Sequence, residues 1–294
     1  MKIILNSVAK GDHGENLPET SLSYESGAVT MVAVETAQRP TVLALLATGR
    51  MTPDAGTVTF RVGEDAAGDA AGGDVRDGND MGAGGDVRDE DGGPHGMARL
   101  RAATAIVDAP DVSEPVGELK LKAVVQEELM FAGRPSNRSA TLAALDDLGV
   151  AGFAGWEIQN VPTAVRLRLL TELASLRPGV EALVLTAPDR RGSDPFEWWD
   201  VAADAALRGF AVLVIASPAS VDVLAEVSAR FEADRLADRE RRAAEARAAE
   251  AARLADLLAD PDPDPASTST PAPESVSADT QPPSAPTATT KDQA

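Results

Sequence analysis

The sequence predicts an α/β fold, and three observations in its first and middle parts indicate this class. An apolar, β-branched run over residues 28–34 is typical of a buried strand, and a helical apolar run, Val42–Ala47, follows it and ends at Gly49. Pro53-Asp-Ala-Gly56 predicts a turn into a second strand over 57–60. From residue 98 to residue 220, strand and helix patterns alternate.

Size and composition exclude several classes of protein. With 294 residues the chain can form one large domain or two small ones. It has no cysteine, so disulfides, thiolate metal sites and thiol nucleophiles are excluded. The apolar run at residues 1–5 is too short for a signal peptide, and no run reaches the ~20 residues of a membrane span. We expect a cytoplasmic protein, with any membrane association being peripheral.

The net charge of −20 is unevenly distributed. Ten acids and two arginines fall within 64–91, and six acids and one lysine fall within 260–294. On such an acidic background we expect no nucleic-acid partner, because duplex binding requires a basic surface.

Four regions follow from the pattern along the chain. We expect a main domain over 1–225, with a β-rich start interrupted by a helix at 40–48. A Gly/Asp-rich insert at 63–97 carries a short repeat and lacks calcium-loop spacing, so it predicts a disordered loop. A charged, alanine-rich helix is expected over 226–259, either solvated or paired as a coiled coil. A Pro/Ser/Thr tail at 260–294 is expected to be disordered.

The loop between the first strand and the first helix stands where a phosphate-binding loop would lie. Such a loop reads G-x-x-x-x-G-K-[ST], with glycines that bring backbone N–H groups to the phosphates and a lysine that reaches them. The window 33–41 has no glycine. Pro40 offers no N–H, and Glu35 would repel a phosphate, while Arg39 differs from lysine in geometry.

This order of strand, loop, helix and Pro-Asp-x-Gly turn resembles the ATP-binding subunits of ABC transporters, the ATP-binding cassette ATPases. The resemblance covers about residues 2–225 without the insert. It implies a P-loop-NTPase-like core with an antiparallel β portion and a helical subdomain over about 109–177. In this resemblance Asp108 stands where the family has a glutamine that senses magnesium, and Val161–Val165 stands at the glycine-rich signature.

The same resemblance places the family's catalytic and binding positions on residues that cannot fill those roles. Thr186 and Ala187 follow the strand that normally ends in the magnesium-binding aspartate and the glutamate base. Ser217 stands at the position of the switch histidine. His13 is the one aromatic ring near residues 10–16, where an adenine-stacking ring is expected, and it is more typical of a surface loop. The resemblance therefore implies a degenerate cassette that keeps the scaffold without the chemistry.

We expect no catalytic residue and no metal site. Arg39, Pro40 and Thr41 remain as a vestigial nucleotide-binding segment, and no cofactor is expected. The resemblance implies as partner a membrane permease, an intact ATPase subunit that would form a dimer with this chain, or both. A permease partner would place the chain at the inner face of the cell membrane.

Two alternatives stay open. One is an active ATPase with Arg39 and Thr41 on phosphate, Asp189 or Asp194 on magnesium, and ATP as its cofactor. The other is a soluble scaffold or regulatory protein. The aromatic cluster Phe196, Trp198 and Trp199 fits either core packing or a partner contact.

Overall fold

The computed structural model of the protein describes residues 1–35, 39–62, 88–90 and 94–258. Its strands are β1 (Lys2–Lys10), β2 (Leu17–Glu25), β3 (Val29–Ala33), β4 (Ala55–Val62), β5 (Arg88–Glu90), β6 (Thr104–Val107), β7 (Ala182–Thr186) and β8 (Ala211–Ala216). Its α-helices are α1 (Arg39–Ala47), α2 (Pro94–Ala103), α3 (Leu121–Phe131), α4 (Arg138–Asp147), α5 (Thr163–Ser175), α6 (Pro195–Leu207) and α7 (Pro218–Leu258). The predicted α/β class is confirmed.

A parallel sheet of order β3-β8-β7-β6 forms the centre of the first compact unit. Its strands are apolar on both faces, as expected of a sheet covered on both sides. Along β7, Leu183 and Leu185 pack with α3, α5, α6 and α7, while Ala182 and Val184 pack with α1 and the antiparallel strands. Side chains alternate across a strand, so one short run contributes to two cores.

The antiparallel portion predicted near the N-terminus is a second sheet of order β2-β1-β4-β5. Strand β5 pairs with β4, with Phe60 opposite Glu90, and α2 begins at Pro94. Both elements lie inside the segment 63–97, whose composition predicts a disordered loop, and the structure describes a strand at 88–90 and the start of a helix at 94–97. Backbone pairing with β4 orders β5 despite its polar sequence. The rest of 63–97, and the tail at 260–294, lie outside the described residues.

Helices fill the region 109–177, where a helical subdomain was expected. It contains α3, α4, α5 and two short 3-10 turns, Ala151–Phe153 and Ile158–Asn160. Its apolar side chains pack into the same core as the parallel sheet. Farther along, Trp198 and Trp199 on α6 are buried in that core while Phe196 is exposed, so core packing explains the two tryptophans.

The long C-terminal helix begins earlier than the charge pattern predicts. Helix α7 begins at Pro218, and the first compact unit extends to Arg241 rather than to 225. Tertiary contacts explain the difference, because Phe231 packs edge-on against Trp199 and Arg235 pairs with Glu25 at 3.3 Å. The second unit begins at Arg242, and its described part, 242–258, is helical. Within the described ranges, no helix is both long and apolar enough to cross a bilayer.

The Pro-Asp-x-Gly turn joins the two antiparallel strands β1 and β4 through close backbone contact. Asp54 accepts hydrogen bonds from Lys10 Nζ at 2.7 Å and from the amide of Gly11 at 2.8 Å. Gly56 has φ 79°, and a Cβ there would lie 2.2 Å from the carbonyl oxygen of Ser7. Position 56 therefore requires a glycine for two reasons: its backbone is left-handed, and the bulge in β1 leaves no room for a Cβ atom.

We expect Gly56→Ala to destabilise the protein more than Gly179→Ala, which provides a matched control. Gly179 also has φ 79°, but a Cβ added there would have no neighbouring atom within 4 Å. The left-handed conformation alone costs an alanine ~1–2 kcal/mol. The collision with the β1 backbone should add roughly 1–3 kcal/mol at Gly56. Urea denaturation of both variants measures the difference, and equal losses would contradict the role of close contact.

Candidate functional site at the carboxyl edge of the parallel sheet

The carboxyl ends of β3, β8, β7 and β6 meet at one edge of the parallel sheet. In open α/β sheets, ligands bind outside this edge. The segments that leave it begin at Val34, Ser217, Ala187 and Asp108. These are the positions at which the sequence resemblance placed the phosphate loop, the switch residue, the general base and the magnesium-sensing residue.

The first of these segments connects β3 to α1 as the sequence predicts. The amide of Val34 donates to the carbonyl of Ala216 at 2.9 Å, which holds the start of the loop against β8. Residues 36–38 lie outside the described part. Arg39 begins α1 and makes a long hydrogen bond of 3.5 Å to the carbonyl of Glu15. Pro40 is buried in the first helical turn, and Thr41 is half-buried. Their assignment as a vestigial nucleotide segment stays a prediction.

The end of β7 carries no carboxylate where a magnesium ligand and a general base would stand. Thr186 is 1% exposed, and its hydroxyl has no hydrogen-bond partner in the described structure. Ala187 has φ 47°, a strained conformation for alanine, and its amide donates to Ile215 O at 2.8 Å. A hydroxyl and a methyl supply neither the negative charge that Mg²⁺ requires nor a proton acceptor. The residues here do not fit magnesium-bound ATP.

A buried ion pair occupies the end of β6. Asp108 has φ 54° and is 5% exposed, and Arg166 on α5 is 1% exposed. The Nη2 atom of Arg166 lies 2.5 Å from Oδ1 of Asp108, and Nε lies 3.2 Å from Oδ2. This is the bidentate geometry that a guanidinium forms with a carboxylate. The carboxylate of Asp108 is therefore already engaged and is not available to an incoming cation.

Three further residues extend this pair into what we call the charge network, formed by Asp108, Glu114, Arg166, Arg190 and Arg191. Arg190 follows β7 and lies 3.2 Å from Asp108 Oδ2 and 3.3 Å from Glu114 Oε2. Arg191 pairs with Glu114, and Arg166 Nη2 lies 3.7 Å from Glu114 Oε1. The network joins α5 to the segments that follow β6 and β7. Its two carboxylates neutralise two of its three positive charges.

A second carboxylate holds the start of α7. Asp189 Oδ2 accepts hydrogen bonds from the amide of Ser217 at 2.9 Å and from the hydroxyl of Ser220 at 2.8 Å. Burial opposes ionisation of this half-buried group, but the hydrogen bonds from Ser217 and Ser220 outweigh it, so the pKa of Asp189 lies below its usual range. The N-terminus of a helix attracts an anion, and here the chain supplies its own.

The other two residues considered from the sequence have structural surroundings. Asp194, considered as a metal ligand, caps α6 by accepting from the amide of Phe196 at 3.0 Å. His13 is exposed in a short turn. Across the described ranges, no three His, Cys, Asp or Glu side chains come together in a way that could hold a metal ion.

A cavity of about 610 Å³ lies beside β6, the edge strand of the sheet, and we call it the β6 cavity. One wall is formed by the segment that follows Asp108, including Glu114 and Val116. The lining also includes Phe131 on α3, whose ring centroid lies 5.7 Å from the guanidinium carbon of Arg177. Arg50 lines the cavity as well, and its guanidinium donates to Thr104 O at 2.8 Å.

Sequence reasoning found part of this site. It singled out Asp108, Thr186, Ala187 and Ser217 by their places after strands, and the structure brings the segments carrying them to one edge. It did not find Glu114, Arg190 and Arg191, nor the cavity. The adjacent arginines that follow the end of β7 by four and five residues were a detectable signal, because two neighbouring cations close to a buried strand require counter-charges.

Comparisons with known proteins found similarity among solved structures. No family model matches the sequence, and no curated protein does. Among solved structures, a nucleotide-free ATP-binding cassette from an ABC transporter shares 15% identity over 77% of this chain and 85% of its own, with a TM-score of 0.48. A putative ABC transporter ATP-binding protein from Pyrococcus furiosus shares 11% identity over 74% of this chain and 92% of its own, with a TM-score of 0.48.

A third structure is cbiO1 from Clostridium perfringens, part of the ABC transporter complex cbiONQ. It shares 14% identity over 73% of this chain and 77% of its own, with a TM-score of 0.47. The chain is similar to ATP-binding cassettes of ABC transporters.

We expect Arg166→Met to lower the free energy of unfolding by about 3–5 kcal/mol, because it leaves a buried carboxylate without its main partner. The double variant Asp108→Asn/Arg166→Met should recover part of that loss. Urea denaturation measures both. Arg208→Met serves as the control, since its pair with Glu172 at 2.8 Å is more exposed and should cost about 1 kcal/mol or less. If Arg166→Met lowers the free energy of unfolding no more than Arg208→Met does, the buried pair does not stabilise the fold as we infer.

We expect the stabilising effect of Asp189 to depend on pH. Its folded pKa is below the unfolded value of ~3.9, so its contribution is fully present above pH ~4 and is lost as the pH falls through the folded pKa. Asp189→Asn should therefore be less stable than the unmodified protein at pH 7, by roughly 1 kcal/mol, and the two should converge in acid. Thermal unfolding between pH 3 and pH 7 measures this. A constant difference across that range would refute the assignment, and Ser220→Ala should show a weaker form of the same trend.

Proposed function

We propose that this protein is a degenerate ATP-binding-type subunit of an ABC transporter that does not hydrolyse ATP and acts through protein contacts. Its partners are a membrane permease, an intact ATPase subunit, or both, and this places it at the inner face of the membrane. The proposal combines the family resemblance of the sequence with the side chains at the carboxyl edge of the parallel sheet.

One observation carries the proposal: the groups that would serve a nucleotide are either missing or already used. Thr186 and Ala187 provide no magnesium ligand and no base. Asp108 is engaged by Arg166 and Arg190, and Asp189 occupies the N-terminus of α7. A triphosphate needs unpaired positive groups and a bound cation, and the chain's own carboxylates pair with the positive groups of the charge network.

The surface around the β6 cavity supports the second half of the proposal. Val116 is 63% exposed and Phe131 is 56% exposed, and both line the cavity. The neighbouring side chains of Val112 and Met130 are also exposed. A cavity lined by exposed large apolar side chains together with charged ones is typical of a protein contact. A permease helix with apolar side chains would fit the exposed Val116 and Phe131.

We expect the purified protein to hydrolyse no ATP above background and to show no rise in melting temperature with millimolar MgATP, because it has no magnesium ligand and no base at the end of β7. Phosphate release and thermal unfolding measure these two properties. The variant Arg39→Ala is the control for any residual activity. Hydrolysis that this substitution abolishes would refute the proposal and favour an active ATPase that uses Arg39.

The contact half of the proposal is tested by co-expression with ABC transporter permeases encoded in the same genome, one at a time. Co-purification should survive Arg39→Ala and should be lost on Val116→Asp, which places a charge on the exposed wall of the β6 cavity. Leu207→Asp is the matched control, because Leu207 is also exposed but lies on α6. Equal binding by the Val116 and Leu207 variants would place the contact elsewhere.

A further inference from the structure

The wall of the β6 cavity belongs to the segment that the charge network holds. Residues 113–116 line the cavity and lie between Asp108, at the end of β6, and α3. The wall also has a compact backbone turn, in which the amide of Glu114 donates to Ala109 O at 3.0 Å and the amide of Ala109 donates to Ser113 Oγ at 3.0 Å. The shape of the cavity therefore depends on where this segment is held.

The charge network fixes the segment at two points. Asp108 anchors its first residue to Arg166 and Arg190, and Glu114 anchors its middle to Arg190 and Arg191. Arg190 contacts both carboxylates, at 3.2 and 3.3 Å. Arg190 Nη1 also donates to Thr186 O at 3.2 Å, which ties the network to the end of β7. The wall is thus attached to α5 and to the segment that follows β7.

Moving this segment would require separating charges that are largely withdrawn from water. Arg166 is 1% exposed, and the side chain of Asp108 is 6% exposed. An ion separated from its partner in such surroundings carries a large desolvation cost. Asp108 is paired on two sides, with Arg166 and with Arg190, so its charge ties the start of the segment to α5 and to the segment that follows β7.

From this geometry we infer that the charge network is a permanent clamp, which keeps the wall of the β6 cavity in its docking position without a nucleotide. This inference rests on the proposed function, because it takes the β6 cavity as the surface that a permease helix contacts. It adds that the contact is independent of nucleotide. Side chains of this chain, rather than a bound ligand, hold the wall of the β6 cavity in place.

Hydrogen–deuterium exchange of the full chain tests the clamp without any partner. We expect the amides of 109–119 to exchange slowly in the unmodified protein and about tenfold faster or more in Arg166→Met, because the segment loses its buried anchor. The amides of β7 and β8 should keep their rates. Glu114→Gln, at a less buried position, should give a smaller increase in the same segment. Arg208→Met is the control and should leave 109–119 unchanged.

Each outcome supports or refutes the clamp, and its failure can be told from failure of the proposed function. If Arg166→Met also speeds exchange in β7 and β8, the substitution has loosened the sheet as a whole. The folded Glu114→Gln variant then tests the clamp in its place. Unchanged exchange in 109–119 for a folded clamp variant refutes the clamp and leaves the proposed function standing. The same experiment with millimolar MgATP should give identical exchange in the unmodified protein. Protection of both 39–41 and 109–119 by MgATP would refute the proposed function itself.

Discussion

The arrangement of the carboxyl edge depends on the contact between Arg166 and Asp108. Asp108 leaves β6 in a left-handed conformation, and Arg166 reaches it from a helix 58 residues further along the chain. Because both side chains are buried, neither can be removed without leaving the other charge uncompensated. The pair therefore forces α5 to lie against the end of the sheet. It also sets the positions at which Arg190 and Glu114 complete the network.

The polar groups at the same edge take structural roles. At a ligand site, cations and helix N-termini are normally left available for the ligand. Here Asp108 and Glu114 pair with the cations, and Asp189 accepts hydrogen bonds at the start of α7. The strained backbone at Asp108 and Ala187 persists because neighbouring strands and side chains hold it. The carboxyl edge lies where ligands bind in such sheets, but its charged side chains hold segments of the chain together.

Packing around this edge is shared among elements that are distant in the sequence. The parallel sheet contributes alternate side chains to two cores, one with the helices and one with α1 and the antiparallel sheet. The first turns of α7 join the helical side through Phe231, which contacts Trp199. This packing explains why the first unit ends at Arg241, beyond the point at which the charge pattern of the helix begins.

The sequence by itself determined the apolar strands and helices, the turn at 53–56 and the lack of a carboxylate on Thr186 and Ala187. These features are local, since strand patterns, glycine requirements and side-chain chemistry are visible in short windows. Tertiary structure alone decided that Glu114, Arg190 and Arg191 meet at Asp108, and that β5 pairs with β4 inside a polar segment. Ion pairs between distant residues and backbone pairing leave no periodic pattern in the chain, because they depend on which segments the fold brings together.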